Sequence, residues 1–197
     1  MERISFFIFT CIFGKNVVIS NSSNLRNGVT RFPRNRKETM MPSQERIQTK
    51  MQELARLLGY DYSDIQHLSN AMYCKKEEGR NDYTNDAMAT LGDTVLKLIL
   101  AEYLYDQGYD KDEISARKLR LEQNTTLKRI SDKTGLWQYA YNDRYFADEA
   151  PGDAKLPYGN HDIYLEAIIA AIYRDRGLAY ARQWVLRFWR EHAGISF

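Results

Sequence analysis

The spacing of apolar residues predicts helices along almost the whole chain from residue 42 onward. In the first predicted helix, over residues 44–58, apolar side chains recur at steps of three and four, at Ile47, Met51, Leu54 and Leu58. This is the spacing of one helix face, and Gly59 follows as a typical C-terminal stop. A second helix carries Ile65, Leu68 and Met72 on one face, after a cap at Asp61 or Ser63. Further helices are predicted over 85–106, 113–122, 125–134, 161–176 and 178–192.

The segments between these helices have the composition of loops. Residues 74–85 are polar, residues 135–160 contain Pro151, Gly152 and Pro157, and Gly177 separates the last two helices. No segment alternates apolar and polar positions between hairpin turns. The pattern therefore predicts an all-α fold.

The first 39 residues differ from the rest of the chain. An apolar stretch over residues 4–13 is followed by an Asn-, Ser- and Arg-rich segment over 21–39 that is typical of disorder. Three interpretations are open: a true start at Met40 or Met41, a targeting segment, or a basic tail that contacts RNA. The predicted organisation is an extension over 1–39 and a helical domain over 40–197.

Composition and charge narrow the class of protein. A chain of 197 residues suits one domain, and no apolar run reaches the roughly 18–20 residues that a membrane span needs. Its two cysteines imply no disulfide framework, so we expect a reducing, cytoplasmic location and no membrane partner. Residues 1–39 hold seven basic and two acidic side chains, whereas the remainder holds 21 and 24. A nucleic-acid binder with this balance needs local basic stripes, or metal ions that neutralise its carboxylates.

Two acidic side chains lie on one side of the predicted helix over 85–106. Asp86 and Asp93 are seven residues apart, which places them two turns apart on nearly the same face. Gly92 costs about 1 kcal/mol relative to Ala inside a helix, which indicates a close approach by another backbone. The alternative to metal binding is that Asp86 favours the helix dipole and Asp93 pairs with Lys97.

A second acidic position lies in an aliphatic helix near the C-terminus. Glu166 is surrounded in sequence by small and aliphatic residues, and a buried carboxylate must be paired, protonated or ligated. Asp162 lies one turn earlier and can share its face. The alternative is that Asp162 caps this helix while Glu166 pairs with a base such as Arg174 or Lys97.

Together these two stretches resemble the ribonuclease III endonuclease domain. The first reads NDAMATLGDTVL over residues 85–96, and the second reads YLEAIIAAIY over 164–173. Between them, residues 121–127 resemble the family segment that ends in Asn-x-x-Leu. The resemblance implies an all-α domain that forms a homodimer and cleaves double-stranded RNA with Mg²⁺, or with Mn²⁺, leaving a 5′-phosphate and a 3′-hydroxyl. It assigns Asp93 and Glu166 as catalytic metal ligands, with Asp86 at a position where the family has Glu.

Two positions depart from the family pattern. Ala89 lies where the family carries a second Glu, and Ile163 lies where it carries an Asp. Asp162 is one residue away from the latter position, and we include it as a hypothetical metal ligand. Because two acids are missing, the alternative function is a catalytically decayed domain that binds RNA or a ribonucleoprotein.

Contacts with RNA and with a second subunit are predicted from surface patterns. The clearest basic run lies on adjoining helices, and its members are Arg117, Lys118, Arg120, Lys128 and Arg129. It can contact phosphates of structured RNA, or it can be a solvated face balanced by acids. A dimer surface is predicted at Leu91, Gly92, Val95 and Ile99, with the core of the same chain as the alternative.

Overall fold

The computed structural model describes residues 42–76, 78–79, 82–150 and 163–193. Within these ranges the chain forms α1 (Gln44–Leu57), α2 (Ile65–Met72), α3 (Asp86–Asp106), α4 (Lys111–Glu122), α5 (Asn124–Thr134) and α6 (Ile163–His192). Two short 3₁₀ turns, Leu136–Tyr139 and Ala147–Glu149, follow α5. Extended pairing in the described part is limited to isolated bridges. The all-α fold is confirmed.

The helix ends follow from local capping chemistry. Gly59 and Gly135 adopt positive φ angles of 56° and 69° at the ends of α1 and α5, as their positions predict. The predicted cap of α2 is wrong: Asp64, not Asp61 or Ser63, accepts the backbone N–H of Gln66 at 2.9 Å.

The start of α4 and the break within α6 also follow from local sequence. The fourth helix begins two residues earlier than predicted, because Asp110 and Glu113 form a capping box. The predicted break at Gly177 is confirmed, since this residue has φ 77° and ψ 175° inside α6. The predicted start of this helix at residue 161 and the extension over 1–39 lie outside the described residues.

The core forms where α3 and α6 pack side by side, with the other helices around them. Buried aliphatic side chains of both helices fill this contact: Leu96, Ile99 and Leu100 from α3 and Leu165, Ile168, Ile169 and Ile172 from α6. The indole N–H of Trp184 donates to the carbonyl of Leu58 at 2.8 Å, and that of Trp189 donates to Leu121 at 3.0 Å. These bonds satisfy carbonyls at the ends of α1 and α4 and fix both helices to α6.

A single carboxylate joins the α1–α2 connection to α6. Asp175 accepts hydrogen bonds from the Tyr60 hydroxyl and from the backbone N–H groups of Ser63 and Asp64, the last two at 2.8 Å. Partial burial raises the pKa of Asp175, but these hydrogen bonds outweigh burial and hold its pKa below the ordinary value. The ionised carboxylate therefore contributes to stability.

The face of α3 that was predicted to form a dimer lies mostly inside the chain. Gly92 is buried, Val95 is 5% exposed and Ile99 is fully buried, so the alternative of an intrachain core holds for these three residues. The exposed apolar side chains of α3 are instead Leu98 and Tyr105, at 52% and 74%. Among the described residues no helix is both long and apolar enough to cross a membrane.

Candidate active site

The site is built where the backbones of α3 and α6 almost touch. A Cβ atom at Gly92 would lie 1.7 Å from the carbonyl oxygen of Glu166 and 3.2 Å from the backbone nitrogen of Ala170. Only a residue without a side chain fits such an approach. The sequence indicated a close neighbour at Gly92, and that neighbour is the backbone of Glu166. Asp93, the next residue along α3, is thereby placed beside the Glu166 turn of α6.

Small side chains continue this close contact along both helices. Ala89, one turn before Gly92 and Asp93, is 3% exposed and packs in one cluster with Ala71, Ala167 and Ala171. A methyl group offers no oxygen to a cation. The position at which the family pattern has its second Glu is therefore part of the apolar packing between α2, α3 and α6.

Asp93 is bound to a lysine of its own helix. The Nζ atom of Lys97 lies 2.7 Å from Oδ2 of Asp93, one turn along α3. The Asp93 side chain is 30% exposed and the Lys97 side chain 47% exposed, so solvent reaches both. This is the i, i+4 pair that the spacing offered as an alternative to metal binding.

Three carboxylates from three helices act on the Lys97 ammonium. The hydrogen bond with Asp93 raises the pKa of Lys97 above its ordinary value, and the negative charges of Asp93, Glu122 and Glu166 raise it further. Glu122 ends α4, and both of its carboxylate oxygens accept from Nζ of Lys118 at 2.9 Å. Acidic and basic groups therefore alternate from Asp93 through Lys97 and Glu122 to Lys118. The role of Glu122 was missed, because a contact between α3 and the end of α4 leaves no local sequence signal.

Asp86 has a different local environment. Its Oδ2 atom accepts the backbone N–H of Tyr83 at 2.7 Å, and it begins α3 seven residues before Asp93, about 10.5 Å along the helix axis. The preceding Asn85 is fully buried and donates from Nδ2 to the carbonyl of Ala71 at 2.8 Å. Asp86 thus shapes the turn that leads into α3.

Few side chains at this site could donate oxygen ligands to a metal ion. The contact at Gly92 brings the Asp93 turn of α3 against the Glu166 turn of α6, whereas Asp162 and the side chain of Ile163 lie outside the described residues. In the part of the chain that the structure describes, no three His, Cys, Asp or Glu side chains form a group that could hold a metal ion. Mg²⁺ often binds through one or two carboxylates and completes its shell with water and substrate phosphates. Two carboxylates therefore fit a single ion of this kind, with Lys97 as a competitor for Asp93.

The predicted RNA-binding residues lie on α4 and α5, mostly in local contacts. Arg117 stacks over the ring of Tyr109 at 4.0 Å, Lys118 binds Glu122, and Lys128 binds Asp132 at 3.0 Å. Arg120 is exposed on α4.

A further member of this basic run has a structural contact. Arg129 donates to the carbonyl of Ala193 at 2.8 Å and so holds α5 against the end of α6. The structure thus places the basic run on two successive helices, with Lys118 bound to Glu122, whose charge acts on Lys97.

Comparison with known proteins identifies relatives of the described domain. The family model for ribonuclease-III-like proteins matches residues 65–191. Ribonuclease 3 of Methylococcus capsulatus is 33% identical over 144 residues, and that of Sinorhizobium fredii is 29% identical over 146 residues. These matches cover 68% and 71% of this chain but only 57% and 58% of the relatives, so the chain spans little more than half of their length.

Solved structures agree with this assignment. A structure of the nuclease domain of ribonuclease III from Campylobacter jejuni, described for flexibility in its region of dimer formation, superposes with a TM-score of 0.60 at 26% identity. The match covers 74% of this chain and 99% of that domain. A second structure of the same domain gives a TM-score of 0.57 at 27% identity. Because the family model covers well over half of the sequence and the helical fold agrees, this chain belongs to the ribonuclease-III-like family.

Proposed function

We propose that this chain is an endoribonuclease domain that hydrolyses double-stranded RNA, with Asp93 and Glu166 as its metal-holding pair. The observation that carries the proposal is the contact of Gly92 with the backbone of Glu166, which sets the two acidic residues on facing turns of α3 and α6. Family membership supports an endoribonuclease activity in general, since the relatives are named ribonuclease 3.

The two carboxylates would hold a single Mg²⁺ or Mn²⁺. Such an ion, when bound, lowers the pKa of a coordinated water and stabilises charge on the phosphate and the leaving oxygen. The chain itself would supply the negative charge of Asp93 and Glu166, and the close contact of α3 with α6 would limit the movement of the two backbones that carry them. Attack at phosphorus that expels the 3′-oxygen would leave a 5′-phosphate and a 3′-hydroxyl.

The basic side chains of α4 and α5 are the groups that would bind the RNA backbone. Lys128 pairs with Asp132 one turn away, and an exposed pair of this kind contributes only about 0–1 kcal/mol, so a phosphate can replace this acid at little cost. Lys118 pairs with Glu122 in a half-buried contact and would present its charge to the RNA from there. Arg120, exposed on α4, would extend the same surface. Recognition would rest on duplex shape and 2′-hydroxyls rather than on sequence.

A homodimer would place two such sites on the two strands of a duplex. The candidate surface is an apolar strip on α3 formed by Leu91, Leu98 and Tyr105, which are spaced by seven residues; Leu91 is partly buried, and the other two are exposed. A stripe of this spacing is self-complementary about a two-fold axis. The related Campylobacter domain is described as having a region of dimer formation.

The environment of Asp93 also suits a second, non-catalytic function. The ammonium of Lys97 is bound to Asp93, and Ala89 lies buried where the family pattern has an acid. Both features suit a non-catalytic domain that binds structured RNA or a ribonucleoprotein. In that case the acid pair would stabilise the fold through Lys97 and would not hold a metal ion.

One assay separates the two functions. The protein is incubated with end-labelled duplex RNA and Mg²⁺ or Mn²⁺, beside Asp93→Asn and Glu166→Gln. The matched control is Asp148→Asn, because Asp148 is also 30% exposed and also binds a lysine Nζ, that of Lys50, at 2.7 Å. We expect cleavage by the wild type and the control and at least a hundredfold loss in the two site variants. Cleavage that persists in both site variants rejects the proposal, and salt-sensitive retention of intact RNA favours the second function.

A further inference from the structure

Lys97 contacts Asp93 directly, and the family resemblance offers no role for it. Its Nζ atom lies 2.7 Å from Asp93, and the charges of Glu122 and Glu166 act on the same ammonium. These three carboxylates come from α3, α4 and α6, so the lysine lies at the junction of three helices. An ammonium in such a place supplies the positive charge that a divalent cation would otherwise supply.

We propose that Lys97 is a resident cation of the site, which neutralises Asp93 in the resting protein and must move aside before a divalent ion binds. This inference rests on the proposed function, since it concerns how the Asp93–Glu166 pair takes up its metal. It assigns Lys97 a control of metal affinity rather than a direct step in hydrolysis.

The side chain of Lys97 has the properties that a displaceable cation needs. It is 47% exposed and has a flexible four-carbon stem, so the ammonium can leave Asp93 for solvent without disturbing the core. The negative charge of Glu122, which accepts two hydrogen bonds from Lys118, continues to act on the ammonium after it leaves Asp93. The Oδ2 atom of Asp93 would then be freed for the incoming ion.

The charge balance determines the expected effect of removing this lysine. Lys97 contributes one positive charge beside Asp93, and the negative charges of Glu122 and Glu166 act on the same ammonium. Replacing Lys97 by Met keeps the length of the side chain and makes the site more negative by one charge. A divalent ion at about 4 Å from the lost charge gains on the order of tenfold in affinity or more, even with water-like screening.

The test is a titration of the protein with Mn²⁺ in the absence of RNA. The concentration of free Mn²⁺ is measured from its electron paramagnetic resonance signal. Lys97→Met is compared with the wild type, with Asp93→Asn, and with Lys128→Met as a matched control. Lys128 also forms an i, i+4 pair, with Asp132, and is 49% exposed. Circular dichroism checks folding, and Lys97→Gln replaces the Met variant if that variant does not fold.

We expect Lys97→Met to bind Mn²⁺ about tenfold more tightly than the wild type, with Lys128→Met unchanged and Asp93→Asn weaker. Equal or weaker binding by Lys97→Met overturns the role of Lys97 but leaves the proposed function in place if Asp93→Asn still loses affinity. Binding by Lys97→Met alone overturns both, because the wild-type lysine then blocks the site and does not move aside for the ion. Absence of Mn²⁺ binding in every variant overturns both.

Discussion

The contact of Gly92 with α6 makes the substitution Gly92→Ala the most direct test of the site geometry. The added Cβ atom would lie 1.7 Å from the carbonyl oxygen of Glu166 and 2.6 Å from its carbonyl carbon. Ordinary van der Waals contact begins near 3.4 Å, so the two backbones must separate locally by about 1.7 Å. No rotamer change relieves this clash, because both colliding atoms belong to the backbone of α6.

Two opposing terms set the expected change in stability. Overpacking of a closely packed contact costs about 1–3 kcal/mol, and a clash with backbone falls at the upper end. The change from Gly to Ala inside a helix returns about 1 kcal/mol. The free energy of unfolding should therefore fall by about 2 kcal/mol, which lowers the melting temperature by about 4–8 °C for a chain of this size.

The same displacement should affect activity more than stability. Separation of α3 from α6 moves Asp93 away from Glu166, and a misplacement of about 1 Å at a catalytic site costs on the order of a hundredfold in rate. Urea unfolding followed by circular dichroism measures stability, and duplex cleavage measures rate. The control is Thr94→Ala, an exposed position of α3 at which we expect a change within about 0.5 kcal/mol. If Gly92→Ala unfolds at the same urea concentration as the wild type, the close helix approach is refuted.

Two further predictions concern the surface of α3 and the acid sensitivity of the fold. Leu98→Asp places a charge in the apolar strip and should convert a dimer into a monomer in sedimentation equilibrium with little loss of monomer stability; a monomeric wild type would contradict the proposed dimer. Asp175→Asn should lower the free energy of unfolding by about 1.5–3 kcal/mol at pH 7, because it removes the charge that accepts from Tyr60 and two backbone N–H groups. Since folding lowers the pKa of Asp175, its contribution is complete above the unfolded value of about 3.9 and is lost as the pH falls through the lower folded value. Denaturation at pH 7 and pH 2.5 should therefore show a smaller difference between Asp175→Asn and wild type at the lower pH, and a constant difference would contradict the role of this carboxylate.

Much of the local architecture could be predicted because it depends on neighbours in sequence. The steps of three and four in α1 and the positive-φ glycines at Gly59, Gly135 and Gly177 set helix faces and ends within a few residues. The family resemblance pointed to Asp93 and Glu166 as site residues. The spacing of four residues was enough to indicate the pair between Asp93 and Lys97. These features involve residues within one or two turns of each other.

The orientation of α3 could not be predicted in the same way. This helix is apolar around much of its circumference, so its spacing does not distinguish the face in the core from the face at the surface. Val95 and Ile99 were therefore predicted on a dimer surface that did not include Leu98, yet Val95 and Ile99 are buried and Leu98 is exposed. Packing against α6 determines which face of α3 is buried, because only the face with Gly92 allows the two helix backbones to approach so closely.

By itself the sequence determined that this protein is helical, where most of its helices end, and which two acidic residues to compare with a nuclease. Tertiary structure alone decided that the backbone of Glu166 lies against Gly92, that the charges of Glu122 and Glu166 act on the lysine bound to Asp93, and that Leu98 and Tyr105 of α3 are exposed. The physical reason is the range of the forces involved. Capping and helix periodicity act over one or two turns, whereas the charge around Lys97 comes from three helices that meet only when the core closes.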